Sequence, residues 1–423
     1  MFIINYNKMH LKGAFYFVFM HIFIIFALQF SNTRKMQKNF LQHFYTGKKY
    51  RKEINWEFIE SFPEIARLKE CQQNPKWHSE GDAWAHTKLA YEKIEKEVLS
   101  KMDFWMYFNA DEEKIVRSAV ILHDIGKGVT TSLGKDGNWH SYGHELEGEK
   151  IARVLLWNED FYIRETICSL IRYHMEPLRL FESKNWIPRM LEIGARVPWK
   201  YLYCVKMADL LGSVQINGGT MEEDLKKMEL IKEMAISFGI WHKTSSQYKN
   251  VIKYSCHRNT FPWKMQNEKK VAYILIGLPG AGKNTWIEKN LSMVDNLGNL
   301  SRDDIRVELG FCSPDEKYLG TDEEEKMVTK VYDEKLDNFI ANCRCIVLNN
   351  VHLKKKYREV TTNKLRDAGF EIFYIYIEAP TLENNYNRRD GQIREDRIKA
   401  MALSFEWPEP SEYDELIIEK QTW

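Results

Sequence analysis

The chain of 423 residues is 44% hydrophobic and 29% charged, with 22 glycines and 11 prolines, which excludes disordered, collagen-like and low-complexity classes. That length exceeds the roughly 100–200 residues of one core, so two domains are expected. Lys and Arg total 61 against 60 Asp and Glu, a formal net charge of +1, so a nucleic-acid partner has to be met by local basic clusters and not by a global field.

Residues 14 to 30, "AFYFVFMHIFIIFALQF", are apolar apart from His21 and Gln29 and follow Lys8 and Lys12, as in a signal or short anchor segment. The run is short for a spanning helix, no small-x-small cleavage site follows, and the basic flank contains Met36. The preferred reading places residues 1 to 35 outside the mature protein, with a start at Met36; an anchor and a signal peptide are the alternatives. The seven cysteines lie apart, without zinc-finger spacing, which fits reduced thiols and a cytoplasmic protein. Cys343 and Cys345 form the one close pair; strand alternation would put both on one face as small buried hydrophobes.

From about Glu53 to Phe238 the pattern is helical, for example "DAWAHTKLAYEKIEKEVLSKM" with Ala83, Ala90, Ile94 and Val98 along one face. Into these apolar patterns are set His86 in "WAHTK", His123 and Asp124 in "AVILHDIGKG", His144 in "YGHELEG", His174 in "IRYHMEP" and Asp209 in "KMADLLGS". Each histidine alone is most simply a hydrogen-bonded core residue. Together, imidazoles and carboxylates projecting from several helices suit a first-row transition ion, whereas calcium would demand mostly oxygen ligands.

Residues 241 to 270 lack clean periodicity and read as a connector. Beyond them "VAYILIG", "CIVLNN" and "EIFYIYIEAP" are β-rich runs separated by helix-length segments such as 322 to 342, which implies a parallel α/β sheet. The expected organisation is therefore an all-α domain over 50–240, the connector, and an α/β domain over 271–423. Gly277, Leu278, Pro279, Gly280, Ala281, Gly282 and Lys283 spell G-x-x-x-x-G-K after a strand and before a helix, the setting in which backbone N–H groups cradle ATP phosphates. Asn284 stands where Ser or Thr usually helps hold Mg²⁺, so Thr285 or a water would have to substitute. Downstream, "LSRDDIR" offers Asp303 as a base for an acceptor hydroxyl and Arg306 as its positioning charge, or equally the start of a helix capped by Ser301. "HLKKKYR", 352 to 358, reads as a phosphate-backbone contact or a solvated helix face. "FEWPEPSEYDE", 405 to 415, reads as a packed tail in preference to a base site.

The wording "HTKLAYE…AVILHDIGKG…HSYGHELEGEKIA" resembles the HD superfamily of metal-dependent phosphohydrolases over about residues 78 to 212. By that resemblance His86, His123, Asp124 and Asp209 hold one divalent ion, and His144 and His174 complete a second bridged by Asp124. Mn²⁺, Co²⁺, Ni²⁺ and Zn²⁺ are the candidates, and their chemistry is activation of water against a phosphoester. Lys127 would neutralise phosphate charge, or else complement a helix dipole. His78 and His140 flank the set as supporting or substrate-facing groups.

The run "SRDDIR", "VLNNVHLKKKYRE" and "NRRDGQIREDRIKAM" after the glycine loop resembles polynucleotide 5′-hydroxyl kinases over about residues 271 to 418. That resemblance implies ATP and Mg²⁺ as cofactors, Lys283 on the phosphates, Asp303 as general base and Arg306 on the acceptor's phosphate. Arg389 would be the lid arginine, with Arg388 as its fallback. Asn350 stands where the phage-type kinases carry an aspartate. An HD phosphoesterase followed by such a kinase is similar to bacterial bifunctional enzymes that heal broken RNA or DNA. They convert 2′,3′-cyclic phosphate or 2′- or 3′-phosphate ends to hydroxyls and phosphorylate 5′-hydroxyls, so that a ligase can seal them. Two alternatives stay open: an HD nucleotide phosphohydrolase joined to a small-molecule kinase, or one joined to an ATP-sensing P-loop domain.

Overall fold

In the computed structural model, residues 40–46, 53–100, 107–215, 221–242, 252–254, 269–313, 318, 320–387 and 393–422 are described. The apolar amino-terminal segment, Met36, most of the connector, Arg388 and Arg389 lie outside these residues. Among the described residues no helix is long and apolar enough to cross a membrane.

The first half is helical, as its periodicity requires. Helix α1 (Ala83–Lys93) starts where the Asp82 carboxylate accepts the Ala85 N–H at 2.8 Å, and runs into a π-helical turn, Ile94–Leu99. Helix α2 (Ala110–Leu122) opens on a capping box made by Asn109 and Glu112. Then follow α3 (His144–Leu155), α4 (Phe161–Tyr173), α5 (Trp186–Arg196), α6 (Trp199–Gly212) and α7 (Met221–Ser237). Ala83, Ala90, Ile94 and Val98 are all buried in one core with α2, α4 and α6. Two crossings in this core are set by glycine. A Cβ on Gly212 would lie 2.7 Å from the Ala90 backbone, so α6 crosses α1 at contact distance. A Cβ on Gly126 would meet the His144 carbonyl oxygen at 2.0 Å, so the turn after α2 lies directly on the start of α3.

The second half is a parallel α/β sheet. Its strands are β1 (Ile252–Tyr254), β2 (Lys270–Ile276), β3 (Leu297–Leu300), β4 (Cys345–Leu348), β5 (Phe370–Glu378) and β6 (Glu415–Lys420), in the order β1-β6-β5-β2-β4-β3. Every pairing is parallel, with Tyr273 opposite both Phe373 and Val347. Strand β1 falls within the expected connector, so three of its residues form a sheet edge. Helices α8 (Lys283–Leu291), α9 (Arg302–Glu308), α10 (Asp322–Asn342), α11 (Lys355–Asp367), α12 (Leu382–Asn387) and α13 (Glu395–Leu403) connect the strands. Alternation splits the sheet into two cores: Ala272, Ile274, Ile346 and Tyr374 on one face, Tyr273, Leu275, Val347 and Ile375 on the other. Cys343 and Cys345 are both buried but belong to opposite cores, because Cys343 caps α10 and the strand begins only at Cys345. The expectation of a shared face is corrected on that ground.

The halves share a seam. Val154, Trp157 and Phe161, from the end of α3 and the start of α4, sit in the same apolar cluster as Ile274, Tyr376, Phe405 and Trp407. The Arg164 guanidinium donates to Glu378 at the end of β5 through Nη1 at 3.1 Å and Nη2 at 2.5 Å, both side chains 0% exposed. Arg153, held by Glu149 and Glu165, lies over the rings of Phe405 and Trp407 at 5.2 and 5.5 Å. The Tyr173 hydroxyl donates to Glu409 at 2.8 Å and accepts from Arg196 at 2.9 Å. Trp407 is thereby a packed residue of the seam.

Candidate functional site

The two glycine crossings bring the dispersed histidines and aspartates together. His86 lies one turn before Ala90 on α1 and Asp209 one turn before Gly212 on α6, so the contact there sets His86 Nε2 2.9 Å from Asp209 Oδ1. His123 and Asp124 occupy the turn closing α2, and Gly126 presses that turn onto α3, which begins at His144. His144 Nε2 then lies 3.3 Å from Asp124 Oδ1. His174, at the end of α4, brings its Nε2 to 3.1 Å from His144 Nε2 and 3.8 Å from Asp124 Oδ1. The other carboxylate oxygen, Asp124 Oδ2, faces His123 Nε2 at 3.3 Å and His86 Nε2 at 3.9 Å. One carboxylate thus presents one oxygen to each of two subsites, and ligand atoms of His86, His123 and Asp124, and of Asp124, His144 and His174, gather within 4.8 Å in each set.

Hydrogen bonding fixes which nitrogen points inward. The Nδ1 of His123, His144 and His174 donates to the carbonyls of Val120, Ser141 and Ile171 at 2.7 to 2.8 Å, whereas His86 lies between two carboxylates, with Nδ1 2.8 Å from Glu80 and Nε2 2.9 Å from Asp209. The Nε2 of His123, His144 and His174 is left without its neutral-state proton and aimed at carboxylates or at another bare Nε2, an arrangement that is repulsive unless protons or cations intervene. His123 Nε2 and Asp124 Oδ2 are buried with no hydrogen-bond partner, although Lys127 Nζ lies 2.6 Å from that oxygen out of alignment. Orphaned buried donor atoms of nitrogen and carboxylate type fit a transition-metal ion, and the neutral Nε2-facing tautomer is the one that ligates.

The electrostatics match. Burial opposes charge on His123, but the Asp124 and Asp209 carboxylates outweigh it and its pKa is pushed up to about 10. His86 is raised against the same burial by Asp209 and Glu80. Asp124 and Asp209 are held well below the usual carboxylate range: burial works the other way and is overcome by His123 and Lys127 in the first case, by Lys206 and the facing imidazoles in the second. His174 is driven well below the ordinary histidine value by burial and by His144 and His123.

Several groups at the centre were not singled out by sequence. The carboxylate of Glu80 accepts from both His86 and His78 Nδ1 at 2.8 Å and from the Val214 N–H at 2.9 Å, so it fixes the His86 ring and gives His78 a supporting place. Lys206 Nζ pairs with Asp209 Oδ2 at 2.7 Å from the preceding turn of α6, and Gln73 accepts from Lys127 at 2.7 Å. Spacing carries a faint signal for the first two: H-x-E six residues before His86, and K-x-x-D on one helix. Lys127 begins the one-turn helix Lys127–Thr130, pairs with Asp124 at 2.6 Å and donates to Gln73.

In the second half the glycine loop follows β2 and leads into α8. A Cβ on Gly277 would meet the Ile377 carbonyl oxygen at 2.5 Å and one on Gly280 that of Asn385 at 2.3 Å, while Gly282 takes φ +99° immediately before Lys283. Leu278 and Ala281 are buried, and the Pro279 carbonyl accepts from Asn385 at 3.0 Å. Lys283 Nζ donates to the Gly277 and Leu278 carbonyls at 3.0 Å. Asn284 Oδ1 accepts from Asn349 at 2.8 Å, and Thr285 is exposed. The Asn349 N–H donates to the Leu300 carbonyl at 2.8 Å, which sets the start of α9 at the same strand ends as the loop. There Ser301 caps α9 through the Asp304 N–H at 3.3 Å, Asp303 is 75% exposed, and Arg306 pairs with Asp303 at 2.5 Å and Glu325 at 2.8 Å. Asn350 Oδ1 accepts the Arg302 N–H at 3.0 Å and its Nδ2 donates to Tyr332 at 3.3 Å. The basic run is split: His352 donates to the Leu275 carbonyl and Arg358 is buried on Glu412, so these two are structural, whereas Lys354, Lys356 and Tyr357 remain exposed.

Comparison with known proteins gives two findings. Residues 93–211 match the HD domain model, a range that contains His123, Asp124, His144, His174 and Asp209 and starts after His86. The chain is 38% identical over 94 residues to the multifunctional CCA protein of Actinobacillus pleuropneumoniae serotype 5b, and 38% identical over 95 residues to that of Pasteurella multocida. Each match covers 22% of this chain and 20% of the relative, so the chain spans about a fifth of the length of the relatives it matches.

Proposed function

We propose that the protein is a two-site enzyme of nucleic-acid end healing. The helical half would hydrolyse 2′,3′-cyclic phosphate or 2′- or 3′-phosphate ends of RNA or DNA, and the α/β half would phosphorylate 5′-hydroxyl ends from ATP. The observation that carries the first activity is the convergence of four Nε2 atoms on the two oxygens of Asp124 and on Asp209, with every Nδ1 tied outward. Divalent ions held by His86, His123, Asp124 and Asp209, and by Asp124, His144 and His174, would supply Lewis acidity and an acidified water at neutral pH. Glu80 orients the His86 ring through Nδ1, and the buried Lys127 and Lys206 offset the carboxylates of Asp124 and Asp209. Lys127, paired with Asp124, would neutralise part of the charge of an incoming phosphate.

Support for the second activity is the glycine loop at the strand ends, with Asp303 and Arg306 beside it. Lys283, now on two loop carbonyls, would turn to the outer phosphates of ATP, with Mg²⁺ supplying charge neutralisation and Thr285 the nearby hydroxyl. Exposed Asp303 would take the acceptor's proton, Arg306 would position the acceptor, Asn350 would hold the α9 N-terminus, and Arg389 would act as the lid arginine. A small-molecule kinase remains the rival for this half, since Arg306 is already engaged by two carboxylates.

The test is metal content of the purified protein alongside release of phosphate from oligonucleotides with 2′,3′-cyclic phosphate ends, and transfer of label from ATP to a 5′-hydroxyl oligonucleotide. Label on a small alcohol and none on the oligonucleotide would exchange the kinase reading for its rival. Absence of bound transition metal together with absence of hydrolysis would remove the phosphoesterase reading.

A further inference from the structure

Between the Asp124 turn and His144 the chain makes an excursion that the chemistry above does not use. Ser132–Leu133 pairs antiparallel with Trp139–His140, and the Thr131 and Ser141 hydroxyls close the base of the ribbon at 2.8 Å. The Ser141 carbonyl is the acceptor that fixes His144, so the ribbon stands on a candidate ligand. From the strand end next to the ribbon's base, the His140 Nε2 lies 3.0 Å from both oxygens of Asp136 in the tip turn, and the Tyr142 ring, just past the base, stacks on the His140 ring at 5.0 Å with only 10° between planes. The prop is built tightly: a Cβ on Gly134 would come within 2.4 Å of Asp136 Oδ1 and 2.6 Å of His140 Cδ2. Yet Tyr142 is 80% exposed, and Leu133 and Trp139, paired across the ribbon, are 59% and 37% exposed. A tyrosine that contributes to no core is held flat by a histidine that is itself held by a carboxylate.

We propose that Tyr142, propped by His140 and Asp136, is a stacking platform for the nucleobase beside the phosphate end entering the metal centre, on a single-stranded nucleic acid. This rests on the phosphoesterase reading and names how its substrate is gripped. The occupant follows from continuity and charge. Tyr142 stands two residues before His144, whose Nδ1 is tied to the Ser141 carbonyl, so the ring is joined to the centre through one candidate ligand. The ribbon's own ions are a single Lys135 and a single Asp136, with no basic excess for a phosphate backbone, so the ribbon suits a neutral flat ring while the charged phosphate goes to the centre. Because every base has a π-face, stacking of this kind is tolerant of sequence. Pre-orienting the ring removes part of the ordering loss on binding.

The test uses the full chain and two oligonucleotides ending in the same 3′-phosphate, one with a terminal base and one abasic there. The wild type should show a KM about 5- to 140-fold lower for the base-bearing end, the span expected of one stacked base. Tyr142→Ala should erase that preference, Tyr142→Phe should keep it, and His140→Ala, which removes the prop but not the ring, should reduce it. A 2-aminopurine at the terminal position should be quenched on binding to wild type and not to Tyr142→Ala. Hydrolysis of both ends with equal KM, unchanged in Tyr142→Ala, overturns the platform and leaves the phosphoesterase reading standing. Hydrolysis of neither end removes that reading and the platform with it. Conversion of a dimer to a monomer by Tyr142→Ala, with the base preference intact, would assign the ring to a second copy and overturn the proposal.

Discussion

The Arg164–Glu378 pair sets how independent the two halves are. Both side chains are wholly buried, the guanidinium meets the carboxylate through two nitrogens, and Nη1 also reaches the Trp157 carbonyl at 3.1 Å. Removing one member takes the main ionic partner from the other, which typically destabilises by about 3–5 kcal/mol, although Glu378 keeps the Tyr376 hydroxyl and Arg164 keeps Glu165; replacing both with apolar side chains of like volume is often closer to neutral. With a urea slope of about 3 kcal/mol per molar, Arg164→Leu should lower the unfolding midpoint by about 1 to 1.7 M. The Arg164→Leu/Glu378→Leu double variant should recover much of that. Unfolding followed by tryptophan fluorescence and by far-ultraviolet circular dichroism should show both halves shifted together, because the pair joins α4 to the end of β5. A single-variant loss below about 1 kcal/mol, or a double variant as unstable as the sum of its singles, would refute a buried, coupled pair. Two separate transitions, only one of them moved, would refute the joint seam.

Glu80→Ala should weaken transition-metal affinity about 10- to 100-fold, as loss of a carboxylate behind a ligating imidazole generally does, and chelator competition measures it. Metal uptake by the apo protein should release protons, since His123 is held protonated up to about pH 10 and must lose that proton to bind; calorimetry in buffers of different ionisation enthalpy counts them. Below that pH the affinity should rise with pH, and a flat profile between pH 6 and 8 would contradict the proton count. Lys283→Ala should abolish transfer of label from ATP while phosphate release from cyclic ends continues, and Asp124→Ala should empty both subsites, measured as metal stoichiometry, while transfer continues. Loss of both activities in either folded variant would contradict separate chemistry at the two sites.

The six residues of the centre were legible because ligand-type side chains interrupt apolar helical patterns, where a chance polar residue is disfavoured. His86 could be named although it lies outside the range matched by the HD domain model. Glu80 was not legible: a carboxylate in a loop looks solvated until the Val214 N–H and two imidazoles are seen to close on it. Lys206 hid in an apolar stretch of α6, and its partner identifies it only once the helix is built. The parallel α/β sheet followed from alternation of β-rich runs with helix-length segments, but its strand order did not, and the edge strand Ile252–Tyr254 carried too little pattern to be read. The seam was least visible, because nothing in the pattern marks Arg153 and Arg164 on their helices, and their partners across the seam lie in β5 and in the tail after α13. Arg358 shows the converse: counted in a basic cluster, it is spent on Glu412, 54 residues away.

The shared walls of α3 and α4 bear on inheritance. A recombination breakpoint in the stretch between residues 242 and 269 would look harmless on a linear map. It would strip Trp157 and Phe161 of their cover and strand Arg164 at a new surface, and on the other side it would bare Phe405 and Trp407. A lineage can therefore trade either half only by redesigning the exposed face at the same time, which selects for passing the two halves down as one gene.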